Sequence, residues 1–315
     1  MDLVLVLNSD AGTLRGLDPA QAAEELAGIF RARGHTIRVE VRAGSEAIQV
    51  IREVCSTRSS QGIIVGGGDG TVSAAAAAAA ESGLTLGVLP LGTMNLFARA
   101  LGIPLEMRAA AESLSGGDDV AIDISEVNGR YFIHHLTLGL HPRMIRIRER
   151  MSYGSRIGKI IANFQALWIA LRRPPRLRLR MMIDGTAVER RTAALFVSNT
   201  PFGEGHIPYS DDLRQGKLGI YASTSGRWGD LVKLAAGLTL GDVAGNRQLE
   251  SWQATRLEID PGKPVINGSV DGEIVSLQSP LKVQILARHL RVIKPAATVE
   301  QATLTGIQGT QRDAR

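Results

Sequence analysis

The first part of the chain alternates between short apolar runs and longer amphipathic stretches. LVLVLN (3–8) and GIIVG (62–66) are nearly continuous apolar runs, which is typical of strands buried in a parallel sheet. Between them, Asp18-Pro19 predicts the start of a helix, because Asp is a good N-cap and Pro fits the first turn. Strands and helices that alternate in this way predict a parallel sheet covered by helices.

The pattern changes near residue 121 to short β runs separated by tight turns. Asn128-Gly129 and Asp184-Gly185 are strong signals for two-residue hairpin turns. The second part of the chain is therefore expected to be a mainly antiparallel β domain with one or two helices inserted.

Together the two patterns predict an α/β fold, with an N-terminal parallel-sheet domain and a C-terminal, mainly antiparallel β domain. The expected boundaries are 1–120 for the first domain, 121–289 for the second and 301–315 for a disordered polar tail.

Composition places the chain among ordinary globular proteins. Of its 315 residues, 44% are hydrophobic and 21% charged, which argues against wholesale disorder. The single cysteine, Cys55, excludes an intrachain disulfide and fits a reducing compartment. The N-terminus lacks the basic region of a signal peptide, and no run approaches the roughly 20 apolar residues that span a bilayer. A cytoplasmic location is expected.

The net charge of +5 is unevenly distributed. Residues 143–180 hold eleven Arg or Lys and a single acid, Glu149. This segment fits a peripheral contact with an anionic membrane at its inner face. It fits equally a solvated strand and a core helix whose arginines reach to solvent. Nucleic acid is not expected as a partner, because the aromatic residues are too few and scattered for a stacking platform. A homodimer is left open.

Candidate chemistry begins at VGGGDGTVSAAAAAAAES (65–82), a glycine-rich loop between a strand and a helix. This arrangement directs backbone N–H groups and the positive end of a helix at an anion. The loop has no lysine, and Asp69 would repel a phosphate unless it faces Mg²⁺ or the hydroxyl to be phosphorylated. The alternative is a plain tight turn.

Two further motifs carry candidate chemistry. LPLGTMN (89–95) also joins a strand to a helix, so Thr93 and Asn95 either contact a ligand or merely cap the helix. VDGE (270–273) places Asp271 and Glu273 two residues apart, and alone it fits a surface hairpin turn.

In this order and spacing, GGGDGT, LPLGTMN and VDGE resemble the soluble bacterial diacylglycerol kinase-like lipid kinases, relatives of the sphingosine kinases and, distantly, of the NAD kinases. The resemblance covers most of the chain. It implies an ATP-binding catalytic domain over 1–120, a β-sandwich lipid-binding domain over 121–289, and a segment over 290–300 that returns to the first domain. The implied reaction is the ATP- and Mg²⁺-dependent phosphorylation of a hydroxyl of a diacylglycerol-like or related lipid in the cleft between the domains.

The resemblance also implies roles for individual residues. Asp271 corresponds to the acid that accepts the proton of the hydroxyl, with Glu273 beside it and Asp69 facing metal and substrate. The implied nucleotide contacts are Asn8, Gly66, Gly67, Gly68, Asp69, Gly70, Thr71, Gly92, Thr93 and Asn95. A structural Mg²⁺ is implied at Gln215, Leu218 and Ile220.

The chain departs from its relatives at two of these places. Leu96 stands where relatives often have an Asp that holds a Mg²⁺-bound water, and Gln215 stands where many have an Asp. Two rival functions therefore stay open: a kinase of a soluble substrate of the NAD kinase type, and a nucleotide or lipid binder without turnover. His134, His135 and His141 are interpreted as packing residues, because adjacent histidines on a strand point to opposite faces.

Overall fold

The computed structural model describes residues 1–149, 174–202, 212–224, 229–230 and 248–296. The helices of this part of the chain are α1 (Pro19–Ala32), α2 (Gly44–Thr57), α3 (Asp69–Ser82), α4 (Leu96–Ala100), α5 (Met107–Ser115) and α6 (Leu140–Glu149). Its strands are β1 (Asp2–Asn8), β2 (Thr36–Arg42), β3 (Gly62–Gly67), β4 (Thr85–Pro90), β5 (Asp118–Val127), β6 (Arg130–Phe132), β7 (His135–Gly139), β8 (Leu177–Ile183), β9 (Thr186–Thr192), β10 (Ala194–Ser198), β11 (Leu218–Ser223), β12 (Leu249–Ala254), β13 (Arg256–Asp260), β14 (Val265–Val270), β15 (Glu273–Gln278) and β16 (Leu281–Lys294).

Strands β2, β1, β3 and β4 form a parallel sheet in that order. Every residue of β3 and β4 is buried, as expected for strands covered on both faces. Helix α1 begins as predicted, with the Asp18 carboxylate accepting from the amides of Ala20 and Gln21. The α/β class of the first domain is confirmed.

The alanine run of α3 allows this helix to pack closely. Ala75, Ala76 and Ala79 are at most 1% exposed, and the helix packs against β3, β4 and α2. Because alanine adds little bulk, the helix that follows the glycine-rich loop lies near the sheet and keeps its start close to the ends of the strands.

Strand β16 carries this sheet into the second part of the chain. Val292 pairs in parallel with Leu86 of β4, while earlier residues of the same strand pair antiparallel with β5 and β13. The order becomes β2-β1-β3-β4-β16-β13-β8-β9, with β5 and β6 attached beside β16. The described parts of both domains therefore share one continuous sheet.

A second, antiparallel sheet has the order β12-β11-β10-β7-β14-β15. Its inward residues Leu136, Val197 and Ile220 form one apolar cluster with Leu257 and Leu281 of the first sheet. This layer of packed side chains between two sheets is a β-sandwich, so the predicted second domain is confirmed in class.

Several predictions stay open or concern segments outside the described residues. The boundaries at 120 and 289 stay a prediction, and Val292 does return to the first domain's sheet. The predicted tail, 301–315, lies outside the described residues, as do 150–173 of the basic segment. No helix in the described part of the chain is long and apolar enough to cross a membrane.

A buried acid holds β16 in place where its ladder is interrupted. The register of β16 with β5 shifts between Leu286 and Leu290, and Arg288 there adopts a left-handed conformation with φ of 53°. Asp123 of β5 is 1% exposed, and its carboxylate accepts from the amides of Arg288 at 2.8 Å and Gly216 at 2.6 Å. One side chain therefore joins the irregular part of β16 to the turn before β11.

Replacing Asp123 by Ala should lower the free energy of unfolding by at least about 2 kcal/mol, because two part-buried amides lose their acceptor. Glu24→Ala, which removes an exposed ion pair with Arg31, should change the free energy of unfolding far less, because exposed ion pairs contribute little to stability. Urea denaturation of both variants checks this. An equally small loss of stability in the two variants would show that the Asp123 carboxylate is not needed to hold the strand.

Candidate active site

The two glycine loops meet at the carboxyl ends of β3 and β4. The amide of Leu91 donates to the carbonyl of Gly67 at 3.1 Å. A Cβ on Gly92 would lie 2.7 Å from the Cα of Gly68 and 2.9 Å from Oδ1 of Asn95. Glycine is therefore required at position 92 because the two loops touch backbone to backbone.

Asp69 links the start of α3 to the start of α4. Its carboxylate oxygens accept from the amides of Leu96 at 2.7 Å and Asn95 at 3.1 Å, two free N–H groups at the beginning of α4. Each oxygen keeps a lone pair. The carboxylate that looked out of place beside a phosphate thus holds the two loops together, and its predicted contact with metal or substrate stays a prediction.

The side chains of Asn95 and Asn8 both form hydrogen bonds within the protein. The Asn95 side chain closes on its own loop through the amide and carbonyl of Gly92. The Asn8 side chain donates to Oγ1 of Thr71 at 3.0 Å and accepts from the amide of Gly44 at 3.0 Å. These hydrogen bonds bring the loops after β1, β2, β3 and β4 to one edge of the sheet.

The glycines of the first loop differ in what surrounds them. A Cβ on Gly66 would lie 2.8 Å from Leu91, and one on Gly67 would lie 2.7 Å from Thr71, so both positions are closed by packing. Gly70 has open space around it, and Thr93 in the second loop is exposed. A ligand at this edge would therefore meet Gly70 and Thr93 before the other predicted contacts.

Asp271 lies in the turn between β14 and β15, with φ of 47°. One carboxylate oxygen accepts from the amides of His134 and His135, both at 2.9 Å. The other accepts from the amide of Ile133 at 3.0 Å and from the hydroxyl of Ser73 on α3 at 2.5 Å. The VDGE motif is thus more than a surface turn, because its acid points inward and contacts the helix that follows the glycine-rich loop.

Glu273 points the other way. Its side chain is 60% exposed and forms an ion pair with Arg130 of β6 at 2.7 Å. The two acids of the motif therefore occupy different environments, and a shared catalytic role for Glu273 stays a prediction.

A cleft of about 950 Å³ runs between α2, α3 and the turn that carries Asp271. Gly70 and Ser73 line it from α3, while Tyr131 and Asp271 line it from the second domain. The fold thus brings the first glycine loop and the late acidic motif, about 200 residues apart in sequence, to one cleft between the domains.

The described residues show no acidic cluster at the predicted structural metal site. Leu218 and Ile220 are fully buried in β11, which pairs with β10 on one side and β12 on the other. Among the described residues, no three His, Cys, Asp or Glu side chains group to hold a metal. The nearby Asp123 carboxylate already accepts the amide of Gly216. The donor set around Gln215 does not match the carboxylate oxygens that Mg²⁺ prefers, and the assignment stays a prediction.

Sequence reasoning missed two residues of this region. Ser73 is the single hydroxyl between Val72 and the alanine run, and its position on the cleft face depends on the facing domain. Asp123 is an acid within the alternating run AIDIS, and a charge in a strand expected to be half buried was a usable signal.

His135 lies beside Asp271 in a largely buried place. Its ring stacks on Phe196 with 4.7 Å between centroids. Burial lowers the pKa of His135 to about 4; the charge of Asp271 acts to raise it, and His141 and His134 act to lower it. The ring is therefore neutral at pH 7.

Gly92→Ala should lower the free energy of unfolding by about 1–3 kcal/mol, because the new methyl group must separate the two loops. Gly28→Ala is a matched control: it lies in α1 with no atom within 4 Å of the added Cβ, and should be neutral or stabilise by up to about 1 kcal/mol. Urea denaturation measures both. A Gly92→Ala variant as stable as the control would contradict the close contact of the loops.

The buried His135 should make stability depend on pH. Between pH 6.5 and about 4 the unfolded chain binds the proton more readily than the folded one, so stability falls as pH is lowered through this window, by at most about 3 kcal/mol. His135→Phe keeps a ring against Phe196 and removes the titration. Urea midpoints at pH 7 and pH 4.5 should differ less in the variant than in wild type. An equal difference in the two proteins would show that His135 does not cause the pH dependence of stability.

Comparison with known proteins gives a consistent result. Residues 2–127 match the family described as diacylglycerol kinase catalytic domain. A diacylglycerol kinase of Bacillus subtilis (strain 168) is 27% identical over 252 residues, covering 76% of this chain and 79% of that protein. The crystal structure of a diacylglycerol kinase from Bacillus anthracis str. Sterne superposes with a TM-score of 0.71 at 22% identity, covering 95% of this chain and 98% of the other, which shows a shared fold. These matches confirm the resemblance drawn from the three motifs.

Proposed function

We propose that this protein is an ATP- and Mg²⁺-dependent kinase that phosphorylates a hydroxyl of a diacylglycerol-like lipid, in line with the match of residues 2–127 to the diacylglycerol kinase catalytic domain. The observation that carries the proposal is the contact between Asp271 and Ser73. It sets a carboxylate of the second domain against the helix that begins at the glycine-rich loop, in a cleft large enough for substrates.

The nucleotide would bind where the two loops meet. The first amides of α3 have no acceptor within the helix and no side chain caps them, and the positive end of the helix favours a phosphate. These backbone groups would take the place of the lysine found in other phosphate-binding loops. Thr93 is exposed at the same edge and could donate a further hydrogen bond.

Mg²⁺ would neutralise charge on the transferred phosphate. It commonly binds through the phosphates themselves and one or two carboxylates. Asp69 fits this requirement, since each of its oxygens keeps a lone pair after accepting an amide of α4. Leu96 supplies its amide to this arrangement and no charge.

Asp271 would accept the proton of the lipid hydroxyl, directly or through a neighbouring group. Hydrogen bonds from three consecutive backbone amides hold its orientation, which suits a base that must meet the nucleophile in one geometry. The lipid would enter from the side of the second domain.

We further propose that the protein works in the cytoplasm at the inner face of the membrane. The support is the basic composition of residues 143–180. Part of that charge is balanced, since Arg178 pairs with Glu189 and Arg180 pairs with Asp260 across neighbouring strands.

The test is transfer of labelled phosphate from ATP in the presence of Mg²⁺, with total lipid extract and NAD as alternative acceptors. Wild type should label a lipid, and Asp271→Asn should lower the rate about 100-fold or more, because the base is lost. Asp260→Asn removes a carboxylate from an exposed ion pair in the same domain and should leave the rate unchanged.

Glu273→Gln should lower the transfer rate less than Asp271→Asn does, because the Glu273 side chain is exposed and pairs with Arg130. Labelling of NAD alone would favour the soluble-substrate kinase, and labelling of neither acceptor would favour a binder without turnover. Equal labelling by wild type and Asp271→Asn would show that Asp271 is not the base.

A further inference from the structure

We propose that Ser73 is a catalytic residue that relays the proton of the substrate hydroxyl to Asp271. This inference rests on the proposed kinase function and adds a group that the sequence motifs do not include. It starts from the number of hydrogen bonds that the Asp271 carboxylate already accepts.

A carboxylate offers about four acceptor positions, two on each oxygen. In Asp271 four donors occupy them: the amides of Ile133, His134 and His135, and the hydroxyl of Ser73. The three amides belong to consecutive residues of the backbone and cannot rotate away. A substrate hydroxyl therefore meets a carboxylate whose acceptor positions are filled.

Ser73 is the donor that differs from the others. Its hydroxyl rotates freely about the Cβ–Oγ bond, and a serine oxygen accepts hydrogen bonds as well as donating one. The hydroxyl donates its hydrogen bond to Oδ2 of Asp271. Ser73 also lines the cleft, so its remaining lone pairs are available to a hydroxyl bound there.

The position of Ser73 on α3 suits transfer from a bound nucleotide. Ser73 is one turn beyond Asp69 and Gly70, the start of the helix to which the phosphates would bind. It thus lies on the cleft, between the start of α3 and the Asp271 carboxylate.

The proposed step conserves atoms and electrons. The proton of the lipid hydroxyl passes to Oγ of Ser73 while the Ser73 proton passes to Oδ2 of Asp271. The lipid oxygen forms its bond to the γ-phosphorus of ATP, and the bond from that phosphorus to the bridging oxygen breaks with its electron pair leaving on ADP. Ser73 ends with its hydroxyl intact and Asp271 ends protonated.

Ser73→Ala should lower kcat about 100-fold while changing KM for ATP less than threefold, because a proton path is lost and the nucleotide contacts remain. Ser73→Thr keeps a hydroxyl and should recover most of the rate. Ser276→Ala is the control, since Ser276 is exposed on β15, donates to Asn267 and does not line the cleft. Because the two groups would act as one unit, Ser73→Ala combined with Asp271→Asn should lose no more than the worse single variant.

A Ser73→Cys variant separates a relay from a purely structural contact. Sulfhydryl and hydroxyl protons partition differently between light and heavy water, so a thiol within the relay should alter the solvent deuterium isotope effect on single-turnover phosphoryl transfer. A side chain that only positions Asp271 would leave that isotope effect at the wild-type value, and this result would overturn the proposal.

The outcomes also separate this inference from the function on which it rests. If wild type labels lipid and folded Ser73→Ala keeps a kcat within threefold of it, the relay is wrong and the kinase assignment stands. If wild type labels no lipid, both the relay and the lipid kinase function are wrong. Thermal unfolding of each variant shows whether a lost rate reflects a lost fold, and recovery in Ser73→Thr excludes that explanation.

Discussion

The continuity of strand β16 is the constraint on which the rest of the structure depends. Its last residues lie beside β4 in the parallel sheet, and its first residues lie beside β13 in the sandwich. Both domains are thus built around one strand, and their relative position is determined by backbone hydrogen bonds. The interruption near Arg288, held by the buried Asp123, is the place where this strand changes register. Because the strand is shared, residues on the two sides of the cleft can be held within hydrogen-bonding distance of each other.

That shared strand explains how a short contact forms between α3 and the β14–β15 turn. The hydrogen bond from Ser73 to Asp271 joins residues 198 positions apart. A carboxylate held by three backbone amides has little freedom to reorient, and reduced motion of a catalytic group lowers the cost of reaching a reactive geometry. The same rigidity limits what Asp271 can contact directly, which is why the rotating hydroxyl beside it becomes chemically important.

The two departures from the relatives have different consequences here. Leu96 contributes its backbone N–H to the Asp69 carboxylate, so the joint between the glycine loops does not need an acidic side chain at this position. Gln215 itself adds no charge to the turn before β11, where the Asp123 carboxylate accepts from the amide of Gly216.

Much of the fold and part of the site were predictable from the sequence. Apolar periodicity, the Asp18-Pro19 helix start and the Asn-Gly and Asp-Gly turns are local signals, and they correctly indicated the parallel sheet, its helices and the antiparallel β domain. The three motifs indicated the family and which residues to examine. Their contacts depend on chain segments far apart in sequence, so only the tertiary structure decided that Asp69 holds the second loop, that Asp271 points inward while Glu273 points out, and that Ser73 meets Asp271. A local pattern records which face of an element is apolar, but the direction of a polar side chain is determined by the partner that packs against it.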